Sequence, residues 1–165
     1  MHTTKTVCLL KTAAFLLLVG AAPAAAHVAL AETSAPAGSY SVATFRAGHG
    51  CGDAPTVAIT VAVPAAVVTA RPQPKPGWTI EVARSGEKVT AITWKGGLLP
   101  ADQFDAFALL LHLPDALGAL AFPVTQTCTG AVAKWDQPPG GDPRFPAPVL
   151  TVVAPDPHAG MHHGQ

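Results

Sequence analysis

Short runs of apolar and β-branched residues, divided by Pro and Gly, recur along most of this chain. Over residues 39–47 the alternation sets Tyr40, Val42 and Thr44 on one face and Ser41, Ala43 and Phe45 on the other. That is the two-residue period of a half-buried strand. Residues 56–63 form a second run, ended by Pro64. Residues 79–83 and 89–94 flank the polar stretch Arg84-Ser85-Gly86-Glu87 and predict a strand pair. Residues 120–126, 131–135 and 148–153 predict three more strands. The longest run, 104–113, contains Phe107-Ala108-Leu109-Leu110-Leu111, a composition that also suits a helix. Pro100 and Pro114 bound it at strand length, and we read it as a buried strand. Eight or so short strands at this spacing predict an antiparallel β-sandwich. Between them, Arg71-Pro72-Gln73-Pro74-Lys75-Pro76-Gly77 carries proline at every second position and predicts a stiff, extended connection leading to Trp78.

The two ends of the chain follow other patterns. Lys5 and Lys11 precede the apolar run Ala13-Ala14-Phe15-Leu16-Leu17-Leu18-Val19, which Gly20 and Pro23 break before Ala24-Ala25-Ala26. This is the make-up of a secretory signal peptide with an A-x-A cleavage site. The run falls short of the roughly 20 residues that span a bilayer. At the other end, the composition changes after Pro155 to DPHAGMHHGQ, which lacks core residues and predicts a flexible tail. The chain thus divides into a signal peptide over 1–26, one β-sandwich domain over 27–154 and a tail over 155–165. No internal repeat or second domain is evident. The expected location is outside the cytoplasm, periplasmic or extracellular, with no transmembrane segment in the mature chain.

Composition narrows the classes further. Ten Lys plus Arg balance ten Asp plus Glu among 165 residues, and charged residues make up only 12%. A neutral chain has no electrostatic footprint for nucleic acid. Seventeen prolines leave little room for a helical bundle, and 49% hydrophobic residues exclude overall disorder. Cleavage after Ala26 leaves 139 residues; losing Lys5 and Lys11 leaves eight basic against ten acidic residues, a net charge of −2. Losing Cys8 leaves Cys51 and Cys128, and an even pair in an exported chain reads as a disulfide. A cysteine metal site would need a reducing compartment and usually closer spacing.

Cleavage also makes His27 the first residue. Its α-amino nitrogen and its ring Nδ1 then chelate one metal ion, and the amine has an ordinary pKa of about 7.7–8.0, low enough for a metal to displace its proton at neutral pH. Two nitrogens in one plane suit Cu(II). The tail adds His158, Met161, His162 and His163. Imidazole suits Cu(II) and thioether suits Cu(I), so this tail reads as a segment that captures or hands over copper.

Several motifs in order resemble a known family. His27-Val28, Ser34-Ala35-Pro36-Ala37-Gly38-Ser39-Tyr40 and His49-Gly50-Cys51 are followed by Lys75-Pro76-Gly77-Trp78-Thr79 and Trp94-Lys95-Gly96-Gly97-Leu98-Leu99-Pro100. Then come Leu113-Pro114-Asp115, Phe122-Pro123-Val124-Thr125-Gln126-Thr127-Cys128 and Pro146-Ala147-Pro148-Val149-Leu150. Together they resemble the YcnI-like (DUF1775) exported copper-binding domain over roughly residues 27 to 153. The resemblance implies an all-β, immunoglobulin-like sandwich, a Cys51–Cys128 disulfide and a Cu(II) site in which the first residue, here His27, chelates the metal. It also implies a glutamate ligand and a tryptophan beside the metal. The tryptophan matches Trp135. Where the glutamate is expected the chain reads Phe104-Asp105-Ala106-Phe107, with Ala106 at the ligand position. Asp105 is adjacent, but successive side chains on a strand point to opposite faces. The coordination sphere is then completed by water, another side chain or the tail.

Other residues weigh less in this reading. His49 reads as structural in the turn before Cys51. His112 shares strand parity with Ala106 but is six residues on, ~20 Å at 3.3 Å each. Glu32 reaches back to His27 only if the chain turns there. The leading expectation is an exported copper-binding protein without catalysis, a chaperone, buffer or sensor in copper homeostasis. Its implied partners are the copper ion and copper-transport or other exported copper-chaperone proteins. The alternatives are a metal-free, immunoglobulin-like interaction module, for which Ala106 speaks, and a copper oxygenase, which would need a second brace histidine from His49 or His112.

Overall fold

The computed structural model describes residues 28–157. They form twelve strands, and no helix occurs among them. The first sheet runs β1 (Val28–Leu30), β3 (Tyr40–Ala47), β8 (Asp105–His112), β5 (Thr69–Pro72). The second runs β11 (Ala131–Trp135), β10 (Val124–Cys128), β4 (Thr56–Ala62), β7 (Lys88–Leu99), β6 (Thr79–Ser85). A third, small sheet joins β2 (Ser34–Pro36), β12 (Val149–Val153) and β9 (Gly118–Ala121). Every pairing is antiparallel except β12 with β2. The fold is an immunoglobulin-like β-sandwich, as expected.

Alternation decides what each strand buries. On β3, Ala43, Phe45 and Ala47 are buried while Tyr40, Val42 and Arg46 are exposed. On β8, Phe107, Leu109 and Leu111 continue that inner face. They meet Ile59, Val61, Ile92 and Trp94 of the second sheet in one core. The 104–113 run is therefore a core strand and not a helix, because only the two-residue period puts these three side chains inward together. The hairpin between β6 and β7 turns at Gly86-Glu87, and Gly86, at φ 59°, supplies the positive φ that such tight hairpin turns require.

Three expectations need correction, one of them the strand from Val89, which runs past Trp94 to Leu99 as β7. The run over 120–126 is two strands in different sheets: β9 ends at Ala121 and β10 starts at Val124. Phe122 is fully buried at the crossing, so hydrophobicity stays continuous while the backbone leaves one sheet for another. The proline-rich stretch from 71 is not wholly a connection, since Arg71 and Pro72 complete β5 against Leu110 and Leu109.

The disulfide between Cys51 and Cys128 is formed, with the Cα atoms 6.0 Å apart. It ties the loop after β3 to the end of β10, and so one sheet to the other. Beside it a buried polar cluster makes the same link. The Gln126 amide, 1% exposed, donates to the His49 carbonyl and to Thr56 Oγ1, both at 2.7 Å. Replacing Gln126 by Leu strands both acceptors, and thermal denaturation should show a loss of about 1–3 kcal/mol.

Candidate functional site

The site that the sequence predicts begins one residue before β1. His27 lies outside the described residues, as do His158, Met161, His162 and His163. The surroundings of Val28 are well defined. Val28 faces Ala47 across the β1–β3 ladder, and Ala47 faces Asp105 across β3–β8. At the opposite edge of this sheet β5 lies over β7: Trp94 Nε1 on β7 donates to the Gln73 carbonyl, just past β5, at 3.1 Å. The β1 edge therefore lies toward β10 and β11.

Two of the residues singled out from sequence, Trp135 and His49, are tied to β10. Val28 and Trp135 are both buried in the common core. Trp135 ends β11 and faces Val124 of β10. Two residues along β10, Gln126 holds the carbonyl of His49, which itself follows Ala47 by two residues. A loop closes over Trp135: the Phe145 ring stands 5.6 Å from the indole, and Gln137 pairs with Phe145 and Ala147 through backbone hydrogen bonds. In that loop Arg144 grips Asp142 in an ion pair at 2.7 Å. Hydrogen bonds from Arg144 hold the Asp142 carboxyl at about 2, below its ordinary value.

His49 is held more firmly than a turn residue needs. Its Nδ1 lies 2.6 Å from the Gly50 carbonyl. A carbonyl only accepts, so Nδ1 carries the proton and donates. The loop around it is pinned by the Gln126 bond, by Gly50 N–H to Ala101 O at 3.1 Å, by a Cys51–Ala54 bridge and by the disulfide. Gly50 has no alternative there: a Cβ would stand 2.1 Å from the Ala54 carbonyl oxygen.

Two carboxylates that the sequence brings into question, Asp105 and Glu32, are committed elsewhere. Asp105 makes an ion pair with Lys75 at 2.6 Å, and the same Oδ1 accepts the Ala106 N–H at 2.8 Å. Lys75 also donates to the Ala106 carbonyl at 3.1 Å and sits 4.9 Å from the Phe107 ring centre. Asp105 lies two strands from β1, ~10 Å at ordinary strand spacing. Ala106 is on the outer face, in register with Arg46, which faces Ala29. Glu32 accepts the Thr44 N–H at 2.8 Å and the Thr44 hydroxyl at 3.2 Å, locking the end of β1 onto β3. Among the described residues, no group of three or more His, Cys, Asp and Glu could hold a metal ion.

His112 stands apart. Its ring stacks on Tyr40 at 4.5 Å, at the far end of the β3–β8 ladder from Ala47 and Asp105. The segment leading to the tail emerges near that end, since Val153 accepts the Ala37 N–H at 2.8 Å and β3 begins three residues later. The run of β3 between the two ends is ~23 Å long. No helix among the described residues is long and apolar enough to cross a membrane.

Two features escaped the sequence reading. The partner of Asp105 is 30 residues away in the chain, so no local pattern announces it. The backbone of His49 is held by Gln126, 77 residues away; the nearest signal was its position two residues before a disulfide cysteine.

Comparison with known proteins bears on these residues. A family model described as a domain of unknown function (DUF1775) matches residues 27–152. Copper-binding protein CutI of Bacillus subtilis (strain 168) is 27% identical over 122 residues, covering 72% of this chain and 59% of CutI. The chain thus spans less than two thirds of that relative. A crystal structure of an uncharacterized protein from Nocardia farcinica with an immunoglobulin-like fold is 37% identical, with a TM-score of 0.68, covering 78% of this chain and 99% of that one.

Proposed function

Because the chain belongs to the DUF1775 family, we propose that it is an exported copper-binding protein that carries, buffers or senses copper without turning over a substrate. Cleavage after Ala26 frees His27, and its amine and Nδ1 chelate Cu(II), with Trp135 beside the metal. The observation that carries this reading is that the family match starts at residue 27, the residue that cleavage would make first. The likeness to a copper-binding protein supports the choice of metal. The anchoring of Val28 on β1 and the common core that holds Val28 and Trp135 support the place. The tail, through His158, Met161, His162 and His163, serves as a second and looser copper ligand, with Met161 suited to Cu(I).

Cu(II) titration of the chain beginning at His27, followed by EPR, tests the reading. A single tight site is expected, and one added residue before His27 should lower its affinity about tenfold or more and alter the spectrum, since losing even a supporting contact costs that much. An unchanged signal would show that the amine is not a ligand. The metal-free interaction module remains the second reading, supported by Ala106 and by the Lys75 grip on Asp105. Failure to bind Cu(II) below micromolar concentration would favour it.

A further inference from the structure

The cations of this chain are unevenly used. After residue 26 there are eight Lys and Arg. Lys75, Lys95 and Arg144 hold carboxylates in ion pairs. Three of the other five, Arg71, Arg84 and Lys88, gather where the hairpin joining β6 to β7 passes the free edge of β5. Arg71 and Arg84 line a cavity of about 210 Å³ there, together with Thr69 and Glu87. Lys88 stands at its rim, with Nζ 3.4 Å from the Val67 carbonyl.

Both arginines are exposed, and neither has a carboxylate within ion-pair distance among the described residues. Arg84 Nη1 donates to the Glu87 carbonyl at 3.2 Å. That bond positions the guanidinium and leaves most of its five N–H donors unused. The Glu87 carboxylate makes no ion pair among the described residues either. The cavity therefore carries two guanidinium groups against one carboxylate, with a third cation beside them. The Thr69 hydroxyl adds an unanswered donor, for it is out of solvent and has no hydrogen-bond partner among the described residues. A buried polar group left without a partner is costly and rare in folded proteins.

Size narrows the ligand. The volume is that of about seven waters at ~30 Å³ each, below the ~300–1,000 Å³ of a small-molecule pocket. One compact group and its hydration fit, and an extended ligand does not. Guanidinium forks match the oxygens of a phosphate bidentately, and a dianion balances two of them where a carboxylate balances one. We infer that this cavity is a phosphoryl-binding site, in which Arg71, Arg84 and the Thr69 hydroxyl donate to one phosphate group, free or borne by a lipid headgroup. It lies at the edge of the first sheet opposite β1 and does not depend on the copper reading.

Inorganic phosphate is the probe, titrated by calorimetry into the metal-free chain from His27 to Gln165 in a buffer without phosphate or sulfate. One saturable site is expected. Arg71→Gln and Arg84→Gln should each lower its affinity about tenfold or more, as loss of a charged hydrogen bond does. Thr69→Val should lower it severalfold while the thermal midpoint holds or rises, since the hydroxyl has no protein partner to lose. Lys134→Gln removes an equal charge from β11 and should change nothing. A matching loss there would mean diffuse attraction to cations and overturns the site. So does the absence of saturable binding, or full affinity in any of the three cavity variants. Vesicles of phosphatidylcholine with and without phosphatidic acid separate the sources. Binding only to the acidic vesicles, displaced by free phosphate and abolished by Arg84→Gln, assigns the site to a headgroup. Saturable phosphate binding without vesicle binding assigns it to a soluble phosphate.

Discussion

Replacing Cys51 and Cys128 together by Ala is expected to cost about 4–5 kcal/mol in urea denaturation, with an increase in the m-value. The bond closes a loop with a sequence separation of 77 residues. In the chain-entropy model a cross-link of that span stabilises mainly by restricting the unfolded state, which also becomes more compact. Breaking it lets the unfolded chain expand, which raises the surface exposed on unfolding and hence m. Alanine is the better replacement than serine, since Cys128 is 3% exposed and a hydroxyl there would need a partner. The native side of the balance is cushioned by the Gln126 cluster, which ties the same loop to the same strand through His49 and Thr56. A loss below about 1 kcal/mol with unchanged m would show that this cluster, and not the covalent bond, fixes the loop.

The sandwich was legible because its strands announce themselves by alternation. On β3 the residues Ala43, Phe45 and Ala47, and on β8 Phe107, Leu109 and Leu111, alternate as buried apolar positions, and the two faces expected of β3 are the observed ones. What stayed hidden has physical causes. β1, β2 and β5 have three or four residues each, too few to show a period. The strand from Val89 was expected to end at Trp94, yet β7 runs on to Leu99 through Gly96-Gly97. There the glycine marks a close approach and not a break, because a Cβ at Gly97 would stand 2.2 Å from Trp78 Cε2. The candidate site divides in the same way. His27 and the cysteines could be named from residue type and the cleavage pattern, and Trp135 from the family resemblance. That Asp105 faces Lys75, Glu32 faces Thr44 and His49 is braced by Gln126 depends on contacts between strands far apart in sequence.

Phe107→Ala is expected to cost about 3–5 kcal/mol, as removal of a fully enclosed aromatic ring does. Phe107 is 1% exposed on the inner face of β8. Trp78 meets it edge-on at 5.1 Å and Trp94 at 5.5 Å, and Lys75 Nζ lies over its ring. Its loss opens a void between two tryptophans, Trp94 on β7 and Trp78 just before β6, that cannot both close in, so the cavity contribution stays large. Tryptophan emission should shift to the red as water reaches Trp78. The ring also seats Lys75, whose ammonium joins Asp105 and the Ala106 carbonyl. A double-mutant cycle with Lys75→Met should therefore return a coupling of about 0.5–2 kcal/mol, where independent sites would return nearly zero. Copper separates this region from the N-terminal corner. Asp105 and its partners lie two strands from β1, so Phe107→Ala should leave the Cu(II) affinity of the folded protein unchanged, while an added residue before His27 lowers it without touching stability. If instead freeing Asp105 from Lys75 changes the copper EPR signal, the carboxylate beside Ala106 is within reach of the metal and belongs to the site.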